Sequence, residues 1–281
     1  MTSQIKTVTL LALLSGLLII IGGYLGGQNG IVIALAFAVL MNVGSYWFSH
    51  KIVLSMYKAE EVAPEQAPHL YQMVEELARR ANIPMPRVYI IPDDSPNAFA
   101  TGRNPEYGVV AVTRGLLKLL GPNELAGVLA HEIGHIKNRD ILIQTVAAVL
   151  ASAIVAIAHM LQFAAIFGGR GSDSRGGNPL ALLATALLAP IAATIIQLAI
   201  SRSREYLADT KGAELAGDPL YLAGALEKIA AHSARIPMQT HNPSTAPLFI
   251  VNPFAGRSFS SLFSTHPPVE ERIGRLRAMR R

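Results

Sequence analysis

The sequence has no cysteine. Disulfides and thiolate metal sites are therefore excluded, and any transition metal must be held by histidine and carboxylate. Charge is also scarce: Asp, Glu, Lys and Arg make up 15% of the 281 residues, against about 25% in an ordinary soluble domain. Apolar residues reach 51%, and the mean hydropathy is +0.36. A chain with this balance is embedded in a membrane in part. The net charge of +5 is modest, and no nucleic-acid partner is expected. There is no internal repeat and no long low-complexity tract.

What is present is a set of apolar runs, at 7–25, 31–48, 141–167 and 180–200. Each approaches or exceeds the roughly 20 residues that cross hydrocarbon. The first is too long for the core of a signal peptide and lacks an A-x-A site, so it reads as an uncleaved span. Gly26-Gly27-Gln28-Asn29-Gly30 joins the first two runs into a helical hairpin. The third run contains His159 and Gln162, the fourth Pro190 and Gln197, and a Gly/Ser-rich segment at 168–178 connects them. This second pair forms a hairpin that either spans twice or enters and returns.

Lys and Arg set the orientation. The first turn has none, 168–178 has Arg170 and Arg175, and the rest lie at Lys6, in 49–140 and in 201–281. The positive-inside rule places both polar regions, and with them both termini, on the cytoplasmic side. Lys51, Lys58, Lys137, Arg139, Arg202 and Arg204 lie near span ends, as basic rims suited to anionic headgroups. The expected plan is a transmembrane hairpin at 1–50, a cytoplasmic α+β part at 51–140, a second apolar hairpin at 141–200 and a cytoplasmic C-terminal part at 201–281.

Within the first polar region, Leu70, Met73, Val74 and Leu77 fall on one face of a helix over 68–81. Val88-Tyr89-Ile90-Ile91 is a short strand ended by Pro92. The stretches 97–101 and 107–113 flank Gly102 to Glu106 as a hairpin. Pro122 suits the first turn of a following helix.

That helix carries His131-Glu132-Ile133-Gly134-His135. Residues i and i+4 share a helical face, so both imidazoles can reach one metal ion, and Glu132 flanks it as a candidate general base. Two histidines leave a catalytic zinc short of one protein ligand. Ser201-Arg202-Ser203-Arg204-Glu205-Tyr206-Leu207-Ala208-Asp209 follows the fourth run directly. Glu205 is the candidate third ligand. Asp209, again at i+4, is placed to accept a hydrogen bond from a ligand imidazole. If the third and fourth runs pack antiparallel, their ends bring His135 and Glu205 to the same depth. Asp140 reads as a polar terminus before the third run. His50, His69, His159, His232 and His241 have no partner at ligand spacing.

These segments, with Asn97-Ala98-Phe99-Ala100 and Ser264-Thr265-His266-Pro267-Pro268 followed by Glu271-Arg272-Ile273, resemble the HtpX-like membrane zinc metallopeptidases, bacterial relatives of the CaaX prenyl protease. The resemblance covers nearly the whole chain. It implies one Zn2+ held by His131, His135 and Glu205, with Glu132 as general base. It implies Asn97 and His266 near the catalytic centre, holding substrate backbone or the oxyanion; read from residues alone, Asn97 is a turn residue and His266 a helix cap. It also implies quality control of damaged or misfolded membrane proteins under stress.

The fold expected is mainly α with a small β-sheet: an integral membrane protein with about four apolar helices and a cytoplasmic zincin-like metallopeptidase domain. The function expected is zinc endopeptidase activity at the cytoplasmic face of the bacterial inner membrane, with polypeptides and the lipid bilayer as partners. The strand at 97–101 offers an edge to which an extended substrate adds. An intramembrane protease is disfavoured, because HEIGH precedes its apolar run and Lys137-Asn138-Arg139-Asp140 follows it. A transporter would need acids or histidines in several spans, and the runs offer little beyond His159. Oligomeric state and natural substrates are not encoded legibly. The segment 236–263 reads either as a flap over the cleft or as packed irregular chain.

Overall fold

A computed structural model describes residues 3–167, 194–195, 202–233, 245, 248–251 and 267–280. The first helix, α1 (Ser3–Met56), is broken at Gly27, where φ is 56° and ψ −138°. A side chain is strongly disfavoured in that conformation, and glycine adopts it at little cost. The second arm folds back beside the first, so that Asn42 Nδ2 donates to Ser15 Oγ at 3.0 Å. The reversal falls inside the turn that the sequence marks at 26–30. Among the described residues, Gly27–Met56 is the one helix long and apolar enough to cross a membrane. The segment 168–178 and the fourth apolar run, apart from 194–195, lie outside the described residues, so of the second hairpin the structure describes the third run and 194–195.

The sheet has the order β1-β2-β4-β3, from β1 (Glu60–Glu61), β2 (Arg87–Ile91), β3 (Ala98–Thr101) and β4 (Val109–Thr113). β2 and β4 are parallel, and all five residues of β4 are buried, as an apolar central strand requires. β3 pairs antiparallel with β4, so the expected hairpin is present. Its loop is longer than the pattern suggests, because Pro105–Tyr107 forms a 3-10 turn. Asn104 Oδ1 caps that turn, accepting from Tyr107 N at 3.1 Å. β3 is left on the edge.

The helices α2 (Pro68–Ala81), α3 (Arg114–Leu119), α4 (Pro122–Lys137), α5 (Ile141–Phe167), α6 (Arg202–Ala216), α7 (Pro219–Ser233) and α8 (Val269–Ala278) complete the described fold. The helix α4 is central and packs on α2, α6, α7 and β3. Val128, Leu129, Ile133 and Ile136 of α4 join one apolar core with Leu70, Val74, Val110, Leu226 and Leu276. Gly212 lets α6 approach α4 closely: a Cβ there would lie 2.9 Å from His131 N. The side chains of α6 can therefore reach across to HEIGH.

Candidate active site

The two HEIGH histidines and Glu205 converge. One ligand atom from each of His131, His135 and Glu205 lies within 4.8 Å of the others, and all three residues are buried. The imidazole nitrogens His131 Nε2 and His135 Nε2 are 3.2 Å apart. Glu205 Oε2 lies 3.9 Å from the first and Glu205 Oε1 3.6 Å from the second. Four-coordinate zinc with bonds near 2.1 Å has ligand atoms about 3.4 Å apart along each tetrahedral edge. Donor chemistry and spacing both fit such an ion.

Each imidazole is backed by an acid, and each acid by an arginine. His131 Nδ1 lies 2.9 Å from Asp209 Oδ1. Arg272 grips that carboxylate with two bonds, Nε to Oδ2 at 2.9 Å and Nη2 to Oδ1 at 2.7 Å. On the other side, His135 Nδ1 lies 3.6 Å from Asp140 Oδ2, and Arg204 Nε lies 3.7 Å from Asp140 Oδ1. Asp140 is therefore more than a helix terminus: it is 2% exposed and faces a candidate ligand. Arg204 corrects the basic rim, because its side chain is 13% exposed and turned inward to Asp140.

The turn after α4 places Asp140. Arg139 takes a left-handed φ of 58°. Its N–H donates to Ile136 O at 3.1 Å, and Asp140 N–H to His135 O at 3.0 Å. This is a Schellman closure with arginine where glycine is usual.

Glu132 is 2% exposed. Burial, with the nearby Glu205 charge, raises its carboxyl to about 7, against the pull of His135, the Ala100 N–H and Arg272. A carboxyl poised there can both take and return a proton near neutrality. Burial holds His131 down to about 4, although Asp209 opposes the shift. Burial also disfavours charge on His135, but Glu205, Asp140 and Glu132 outweigh it and lift the imidazole to about 9. Asp209 falls to about 2, because Arg272 overcomes the effect of burial.

The profile of peptidase family M48 matches residues 64–280. A protease HtpX homolog of Syntrophobacter fumaroxidans is 58% identical over 282 residues, covering 99% of this chain and 100% of that one. The chain belongs to peptidase family M48. A second protease HtpX homolog, from Desulforapulum autotrophicum, is 57% identical and covers 99% of this chain and 90% of its own. The crystal structure of S. mikatae Ste24p is similar with a TM-score of 0.49 and 19% identity, covering 97% of this chain and 65% of that one.

In this M48 chain the free edge of β3 runs beside Glu132, where the Ala100 N–H favours the charged carboxylate. The segment 248–251 meets the near end of the same edge, where Ile250 N–H donates to Ala98 O at 3.1 Å. Asn97 is fully buried and ties that segment down, its Nδ2 donating to Val251 O at 2.8 Å. Phe249 packs on Phe99 and Tyr57, with ring centroids 5.3 and 5.0 Å apart. His266 and most of 236–263 lie outside the described residues. Sequence reasoning missed Arg272 and Asp140 as supports. The Arg272 signal was its place just after the His-Pro-Pro segment; the Asp140 signal was an acid directly before an apolar run.

Proposed function

We propose that this chain is a zinc-dependent endopeptidase of the HExxH-plus-glutamate type. The observation that carries the reading is the buried convergence of His131, His135 and Glu205 on one point, with Glu132 beside it. The three side chains hold the ion. When bound, zinc polarises the scissile carbonyl and acidifies water. Glu132 takes a proton from the attacking water and later delivers it to the leaving amine. Asp209 and Asp140 hold the two imidazoles in the tautomer that leaves Nε2 free for the ion. His266, by resemblance, stabilises the oxyanion.

The β3 edge receives the substrate as an added strand. By resemblance, Asn97 holds a backbone carbonyl of such a strand, in exchange for the Val251 carbonyl that its amide holds here. Backbone pairing tolerates many side chains, which suits loose sequence preference. The substrates in this reading are misfolded or damaged membrane proteins, and the role is quality control under stress. The site stands at the cytoplasmic face of a bacterial inner membrane that the chain crosses several times, both termini inside. The apolar Gly27–Met56 arm supports the membrane part, and the distribution of Lys and Arg supports the orientation.

The test is Glu132→Gln in the reconstituted full chain. Bound zinc, read by elemental analysis, should be retained, and casein cleavage should fall about 10²–10⁴-fold. Undiminished cleavage at full zinc occupancy would remove the assigned role of Glu132.

A further inference from the structure

A cluster at the end of the Gly27–Met56 arm takes no part in the hydrolytic site. Tyr46 and Trp47 meet edge to face, with ring centroids 5.5 Å apart. Lys51 Nζ stands 5.8 Å from the Phe48 ring centroid. Arg103, from the β3–β4 loop, is held between two rings, its guanidinium carbon 4.3 Å from the Trp47 centroid and 3.4 Å from that of Tyr107. Yet Trp47, Phe48 and Tyr107 remain 47%, 52% and 46% exposed. Residues 31–48 of this helix rise about 27 Å at 1.5 Å per residue, close to the roughly 30 Å of bilayer hydrocarbon. Gln28 and Asn29 stand at one end of that length and the aromatic cluster at the other. Trp and Tyr beside Lys and Arg, at the end of an apolar helix, mark the level of headgroups.

His50, on the same helical end, is 5% exposed. Its Nδ1 is buried and meets no hydrogen-bond partner among the described residues. The charges that act on it are Arg87, Lys51 and Arg103. Arg87 has Glu61 at 4.0 Å; among the described residues no acid pairs with Lys51 or Arg103. A buried polar atom lacking a partner, with cations around it, is a place for an anion.

We propose that Lys51, Arg103 and His50, framed by Trp47 and Tyr107, seat the phosphate headgroup of an anionic phospholipid, and that the β3–β4 loop rests on the headgroup layer through it. The proposal rests on the reading of Gly27–Met56 as a membrane span. It gives that reading a consequence for the active site. The same loop packs against the junction of α4 and α5, since a Cβ on Gly108 would lie 3.1 Å from Ile136 and one on Gly102 would lie 3.1 Å from Ile141. Ile136 directly follows HEIGH. The seat thus sets the height of the catalytic helix above the bilayer.

Trp47 is the sole tryptophan, so intrinsic emission reports this position. The full chain is reconstituted in phosphatidylcholine vesicles, with and without phosphatidylglycerol. Acyl chains brominated near the headgroup should quench Trp47 more strongly than chains brominated at the methyl end. Phosphatidylglycerol should bind in preference to phosphatidylcholine, and Lys51→Gln and Arg103→Gln should each lower its affinity about fivefold. Inorganic phosphate should leave the emission unchanged.

Protein that fails to float with vesicles overturns the span and the seat together. Protein that floats, but whose Trp47 is quenched best from the bilayer centre or not at all, overturns the seat alone. So does equal affinity in the native chain and both variants, or a response to inorganic phosphate that matches the lipid response.

Discussion

The Nε2 atoms of the two HEIGH imidazoles stand 3.2 Å apart on one helix, yet the supports of the two rings differ. Behind His131 lies a tight stack: Asp209 at 2.9 Å, gripped twice by an arginine with no exposed surface. Arg272 also donates Nη1 to Ile250 O at 2.8 Å, so the stack ends on the segment that meets the β3 edge. Behind His135 the contacts lengthen to 3.6 and 3.7 Å, and the arginine keeps 13% exposure. One ligand is fixed by side chains from two further helices, α6 and α8. The other takes its acid from the turn that joins its own helix to the next, with Arg204 of α6 behind that acid. The difference teaches that the His131 side draws its acid and its arginine from distant helices, whereas the His135 side draws its acid from a local backbone turn and only its arginine from afar.

The strongest way to break this comparison is to remove each arginine in turn. Arg272→Met leaves the Asp209 carboxylate buried without its counter-charge, which costs about 3–5 kcal/mol. Arg204→Met removes longer contacts at a partly exposed site, and the expected loss is about 1–2 kcal/mol. Thermal unfolding of the detergent-solubilised full chain would rank them. Equal losses would mean that the two stacks are equivalent after all.

The next effect is on metal. Changing an acid that orients a ligand histidine lowers metal affinity about 10–100-fold. Asp209→Asn should fall at the upper end of that range and Asp140→Asn at the lower end, measured by competition with a chelator. The reverse order would place the better-oriented ligand on the α5 side.

Much of this was legible in the sequence wherever one helix imposes the spacing. His131, His135, Glu205 and Asp209 are two pairs at i, i+4, and the helical period alone puts each pair on one face. The helix over 68–81 and the edge strand were equally plain from their patterns. The supports were not plain, because packing and turn geometry deliver them. Arg272 reaches Asp209 across 63 residues of sequence. Asn97 meets Val251 across 154. Arg204 has the composition of a rim cation, and only the approach of α6 to α4 turns it inward. Asp140 depends on a left-handed residue that is not glycine, which a sequence pattern does not announce.

Proton binding separates the same two histidines in the metal-free chain. His131 is held to about 4 by burial. The unfolded chain takes up a proton near 6.5 that the native imidazole refuses, so stability falls as pH drops from about 6.5 towards 4. His135 is lifted to about 9, because Glu205, Asp140 and Glu132 outweigh burial. The native state keeps a proton that the unfolded chain has released, so its contribution is complete below about 6.5 and is lost as pH rises through 9. Glu132, raised from 4.5 to about 7, holds a proton in the native state that the unfolded chain has released and so offsets the His131 slope. In Glu132→Gln, which removes that carboxyl, unfolding temperature against pH should therefore fall on both sides of about 6.5. In that background His131→Ala should flatten the acid side, and Asp140→Asn should weaken the alkaline side. A single monotonic slope would show that the two rings are held alike.

The smallest effect lies in the turn. Arg139 holds a left-handed φ of 58° with its side chain exposed, a conformation that costs an L-residue about 1–2 kcal/mol and glycine little. Part of that gain is lost to the greater freedom of glycine in the unfolded chain. Arg139→Gly should therefore raise stability by about 0.5–1 kcal/mol, whereas Arg139→Ala, with its Cβ intact, should not. Because the Schellman bonds of Arg139 and Asp140 use only backbone N–H groups, zinc affinity should be the same in both variants and in the native chain. A loss of zinc affinity in Arg139→Gly would show that the stiffness of this residue, and not the Asp140 carboxylate alone, holds His135 in place.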